Sequence, residues 1–109
     1  SSTVGRKARA YWGAYAVSKF AVEGINQLLA DETEDQGRMK VFSINPGATR
    51  TKMRKEAYPF EDSKTVPDAS TLMPLFSLLV IGSLLDCPLS RDLPDTGSQI
   101  DARTWQFPN

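Results

Sequence analysis

Between Gly13 and Gln36 the apolar residues recur at helical spacing. Gly37 supplies a natural stop, and the β-forming run from Met39 to Ile44 is broken at once by Asn45, Pro46 and Gly47. A long helix followed within a few residues by a short apolar strand is the alternation that builds parallel sheets by crossover connections, and it excludes an all-helical or all-β fold. In the helix, Val17, Phe20, Ala21, Gly24 and Leu28 share one face and Val22, Ile25 and Leu29 widen it, so burial on more than one side is predicted. The acidic run Asp31, Glu32, Glu34 and Asp35 reads as a solvated helix end.

Residues Thr49 to Ser70 mix both charge signs with Pro59 and Pro67 and read as a long surface excursion. A second helix is predicted to run to about Leu85. The earlier start, at Pro67, is the preferred reading and implies a kink near Pro74; a start at Thr71 would put Pro74 in the first turn. After the turn-rich stretch Asp86 to Gly97, residues Ser98 to Ala102 form a last short strand. The order is that of the edge half of a doubly wound α/β sheet, and residues 1–109 make one domain rather than two.

Composition narrows the chemistry. Thirteen basic and thirteen acidic residues cancel, so no net field selects nucleic acid or an anionic membrane as a partner. The absence of histidine removes His-based triads and His metal sites, and no metal site is predicted. The single cysteine, Cys87, reads as a buried inert thiol and fits a reducing, cytoplasmic setting. The longest apolar stretch, Leu72 to Leu85, falls short of the about 20 residues that span a bilayer. No signal peptide is visible, and the start at Ser1 without methionine is expected to be internal to a longer product.

Tyr15 and Lys19 lie four residues apart at the start of the long helix, on one face and one turn apart. An ammonium beside a phenol favours the phenolate, which makes the pair a usable general acid or base. The spacing alone is weak evidence and is more often that of an ordinary surface pair.

Its surroundings decide the matter. Ser2, followed three residues later by Gly5, precedes Tyr15 by thirteen; Pro46-Gly47 with Thr51 follows the first strand; and Thr96-Gly97 precedes the last one. Together with Tyr15-Ala16-Val17-Ser18-Lys19, these stretches resemble the short-chain dehydrogenase/reductase family. Trp12-Gly13-Ala14-Tyr15 and Tyr58-Pro59-Phe60-Glu61-Asp62 carry a narrower likeness to a bacterial group within it.

The resemblance implies a Rossmann-like fold and the interconversion of a small carbonyl compound and its alcohol with NAD or NADP. It implies Tyr15 as proton donor and acceptor, Ser2 as its hydroxyl partner and Lys19 as support for the phenolate. It further implies a cofactor contact set of Tyr15, Lys19, Pro46, Gly47 and Thr51, and a homo-oligomer formed through the Tyr15 helix. The glycine-rich turn that cradles a diphosphate is not found among the seven glycines, so the chain is expected to be the C-terminal half of the domain, lacking its cofactor-binding half and inactive alone. The alternative from another class is a non-catalytic fragment acting as a dimerisation or interaction module.

Several residues admit plainer readings. Thr51 also suits the start of a loop, and Ser2 stands where a chain end frays. Arg50, Lys52, Arg54 and Lys55 read as a solvated loop near Glu56, Glu61 and Asp62, with contact to an anionic substrate as the alternative. Tyr11 and Trp12 suit a pocket wall or packing equally, and Trp105 and Phe107 read as a packing strap.

Overall fold

The computed structural model describes residues 1–37, 39–84 and 93–106. Helix α1 spans Gly13–Thr33, strand β1 Ser43–Asn45, helix α2 Lys52–Ala57, helix α3 Met73–Leu84 and strand β2 Gln99–Asp101. The two strands pair in parallel, Ser43 with Gln99, Ile44 with Ile100 and Asn45 with Asp101. The alternation read from the sequence is therefore present, with both strands shorter than predicted. Cys87 and Phe107 lie outside the described residues, as does the whole stretch 85–92 between α3 and Leu93.

Strand alternation assigns the helices to opposite faces. Phe42, Ile44 and Ile100 point to one side, where they pack with Leu75 and Leu79 of α3, Leu93 and Trp105. Trp105 is thus a strap over this core. Ser43, Gln99 and Asp101 point to the other side, where α1 lies and Ser43 donates to Glu23.

The α1 face turned to the sheet differs from the predicted one. Ala16, Glu23, Asn26 and Ala30 are buried, whereas Val17, Phe20, Ile25 and Leu28 are exposed. Small and polar side chains let α1 approach the strand edges and bond to them: the Asn26 amide donates to the Gly97 carbonyl at 2.7 Å, and a Cβ at Gly97 would come within 3.1 Å of Ala30. The acidic run continues α1 as a short 3-10 turn, Glu34–Gln36, ended by Gly37 at φ +61.

The Thr96-Gly97 pair closes the sheet at its lower end. Val41 donates to the Thr96 hydroxyl at 3.1 Å, and Gly97 donates back to the Val41 carbonyl at 2.8 Å.

Two expectations are corrected in the middle of the chain. Helix α3 begins at Met73, after a 3-10 turn Ala69–Leu72 capped by Asp68, so Pro74 sits in its first turn and no kink is needed. The excursion from Thr49 to Ser70 contains α2, a helix too short to show periodicity, whose N-cap is the Thr51 hydroxyl. It is pinned at its base: Arg50 donates its amide to Pro67 and its guanidinium to Asp68 at 3.0 Å. Arg54 is held by Glu61 at 2.7 Å and Lys52 lies 3.8 Å from Glu56, while Arg50, Lys52 and Lys55 are exposed, so the basic cluster is a solvated stretch partly paired with the acids beside it.

Candidate active site

A cavity of about 720 Å³ opens where the upper end of β1 meets the start of α1, within the about 300–1,000 Å³ usual for small-molecule sites. Ser2, Tyr15, Lys19, Pro46, Gly47 and Thr51 all border it, although they come from three separate stretches of chain. This is the carboxyl end of the strand, where open α/β sheets place their ligands.

Ser2 reaches the cavity because its segment lies directly on α1. It adopts an extended conformation and caps the 3-10 turn Thr3–Gly5. Gly5 is buried against the helix, so close that a Cβ would stand 2.7 Å from the Lys19 carbonyl oxygen. The spacing of serine and glycine thus has a local reason: the glycine permits the approach that sets the serine beside the Tyr15–Lys19 turn.

Tyr15 is half-exposed to the cavity. The Lys19 ammonium lies 5.3 Å from the Tyr15 ring centroid, and the Trp12 ring packs against Tyr15 at 5.5 Å with the planes tilted by 53°. Tyr11 and Trp12 therefore form cavity wall, and Tyr11 is fully exposed with φ +68.

The turn after β1 is shaped from both sides. Gly47 takes φ +68, and its amide donates to the Asn45 side-chain oxygen at 3.2 Å. The Asn45 amide nitrogen donates in turn to Asp101 at 2.8 Å. Behind the turn, Arg103 donates to the Ala48 carbonyl at 3.1 Å, to the Thr49 hydroxyl at 3.3 Å and to the Thr71 hydroxyl at 2.9 Å. The Thr51 hydroxyl accepts from the Arg54 amide at 3.1 Å, so it starts α2 and borders the cavity at once.

Beneath the cavity runs a polar network. Glu23, buried on α1, accepts from the hydroxyls of Ser1 and, at 2.6 Å, Ser43, and the Arg6 guanidinium lies 3.5 Å away. Arg6 also donates to Asp101 at 2.8 Å. Burial opposes the Glu23 charge, but hydrogen bonds from Ser1 and Ser43 and the charge of Arg6 outweigh it, and its pKa falls below the ordinary value. The Asn45 hydrogen bond, then Arg6, lowers that of Asp101.

Glu23, Arg6, Asn45 and Arg103 are the site-shaping residues that sequence reasoning passed over. A polar residue in the stripe of Ala16 and Ala30 was the available signal for Glu23; Arg103 had none. Among the described residues no group of three potential metal ligands comes together.

The family profile described as short chain dehydrogenase matches residues 1–62, more than half of the chain. The chain belongs to the short chain dehydrogenase family. Over 80 residues it is 54% identical to the uncharacterized oxidoreductase YciK of Escherichia coli K12, covering 73% of this chain and 31% of that protein. A short chain dehydrogenase of Escherichia coli CFT073, solved with NADPH, superposes with a TM-score of 0.74 at 48% identity, over 94% of this chain and 39% of the other. The corresponding protein of Shigella flexneri 2a, solved with NADP, gives the same values.

These short chain dehydrogenase neighbours have the Rossmann-like α/β fold, of which the present chain carries a part with its parallel strand pair. The chain spans 31% of the curated relative and 39% of the first solved one. No described helix is long and apolar enough to cross a membrane.

Proposed function

We propose that this chain carries the proton-transfer end of an NAD(P)-dependent oxidoreductase that interconverts a carbonyl compound and an alcohol, acting in the cytoplasm. The observation that carries this reading is the convergence of Ser2, Tyr15, Lys19 and the Pro46–Thr51 turn on one cavity at a strand end. Tyr15 gives its phenolic proton to the carbonyl oxygen, or takes it from the alcohol in reverse. Ser2 hydrogen-bonds the same oxygen where charge develops, and Lys19 stabilises the phenolate and would hold the nicotinamide ribose when the cofactor is bound.

The residues present fit the nicotinamide end of the cofactor. The exposed turn at Gly47 offers bare backbone beside Tyr15 and Lys19, and Pro46, Gly47 and Thr51 would hold the ring there. When bound, the cofactor supplies the hydride. No described turn offers a glycine-rich diphosphate cradle. We therefore assign the chain to the C-terminal, catalytic part of the domain, a placement supported by the order of its motifs. The test is NADPH-dependent carbonyl reduction by the whole protein. Tyr15→Phe is expected to lower kcat by about 10²–10⁴-fold, and full activity in that variant defeats the mechanism. The 109 residues alone are expected to give no saturable change in nicotinamide fluorescence, and micromolar binding counts against the placement.

One observation favours a second role. Val17, Phe20, Ile25 and Leu28 form an exposed apolar stripe along α1, as a homo-oligomer joined through this helix requires; a fragment with that role alone would be an interaction module without catalysis.

A further inference from the structure

Besides the residues assigned above, the cavity wall holds two arginines, Arg9 and Arg54, and neither aspartate nor glutamate. Arg54 is committed: both of its bonds run to the Glu61 carboxylate, at 2.8 and 2.7 Å, and its guanidinium stacks on Tyr58 at 4.2 Å. Lys19 is committed to Tyr15. Arg9 makes no ion pair and no side-chain hydrogen bond with another described residue, and it is exposed on the rim.

The turn that carries Arg9 is held in a costly shape. Trp12 donates its amide to the Arg9 carbonyl at 3.3 Å, and Tyr11 between them takes φ +68, which costs a residue with a Cβ about 1–2 kcal/mol. No packing of the Tyr11 side chain offsets this, because that side chain is fully exposed. Backbone strain of this kind clusters at active sites and ligand clamps. Here it carries Arg9 and Tyr11 at a cavity whose lining also includes Trp12, Met53, Ala57 and Tyr58.

On the reading that this cavity reduces a carbonyl, we infer that Arg9 selects the substrate: a carbonyl compound with an apolar or aromatic body and an anionic group, such as a carboxylate. The guanidinium grips that group in a two-point contact while the wall covers the body and Tyr15 meets the carbonyl oxygen. The other anion that could meet Arg9 is the diphosphate of the cofactor, and the experiment separates the two.

The whole protein is assayed with NADPH on 4-carboxybenzaldehyde and on its methyl ester, which has the same ring but no charge. Arg9→Met is expected to lower the ratio of kcat/KM for the acid over the ester by about 10–100-fold, and Arg9→Lys to recover part of it. An unchanged ratio overturns the inference. A raised KM for NADPH at constant ratio assigns Arg9 to the cofactor and overturns it equally. If the unmodified protein reduces neither aldehyde, the carbonyl reading fails separately. Calorimetric binding of 4-carboxybenzaldehyde then decides Arg9: weaker binding by Arg9→Met upholds the anion contact, and equal binding overturns it.

Discussion

Arg103 packs against the α-carbon of Gly47 so closely that a Cβ there would stand 2.7 Å from the Arg103 Cγ. One side chain thereby fixes the back of the turn whose front borders the cavity. Gly47 is required twice, by this contact and by its φ of +68. Gly47→Ala is expected to cost about 1–2 kcal/mol from the backbone alone. Pairing it with Arg103→Ala removes the clash but not that cost. Thermal unfolding of the single and double variants measures both, and a double variant as stable as the unmodified protein would show that the turn is unstrained.

Gly5 makes the equivalent approach on the other side of the cavity, against the Lys19 carbonyl. Here the obstacle is helix backbone, which cannot rotate away. Gly5→Ala is expected to cost about 1–3 kcal/mol and to lower kcat by displacing Ser2, with a smaller effect on the KM for NADPH. A variant with normal kcat would mean that Ser2 does not depend on this contact.

Glu23 links acid sensitivity to the site. Its folded-state pKa is lowered, so its contribution to stability is full above the ordinary value of 4.5 and is lost as pH falls through the lower folded value. Glu23→Ala leaves Ser43 without its acceptor and removes the carboxylate beside Arg6, at a cost of about 1.5–3 kcal/mol at neutral pH. Unfolding temperatures between pH 7 and pH 3 should fall less steeply in Glu23→Gln than in the unmodified protein. Parallel curves would exclude this carboxylate as the source.

The apolar stripe of α1 gives a test of association. Ile25→Glu with Leu28→Glu is expected to convert a dimer of the whole protein to monomer in sedimentation analysis. A dimer that survives both changes is joined elsewhere.

Much of the candidate site is legible in the sequence. The proposed catalytic trio and the Pro46-Gly47 turn were found by spacing and resemblance, because a helix turn places residues i and i+4 together and a Pro-Gly pair ends a strand wherever it occurs. The face of α1 was misread for a physical reason. Amphipathic periodicity assumes that apolar residues meet the sheet, whereas the buried face of α1 carries Ala16, Glu23, Asn26 and Ala30, of which Asn26 bonds to the Gly97 carbonyl and Glu23 accepts from Ser43. Helix α2 escaped notice because six residues carry no period and their stability comes from the Thr51 cap and tertiary pins.

The sequence by itself determined the longer local elements, α1, α3 and the two strands, and the kinds of side chain available for chemistry, because both depend on residues within a few positions of one another. Only the tertiary structure decided that Arg103 would reach Gly47, that Glu23 would join Ser43 and that Arg9 would share a cavity with Met53. Those pairings span tens of residues, and chain folding rather than local preference brings them within a few ångströms.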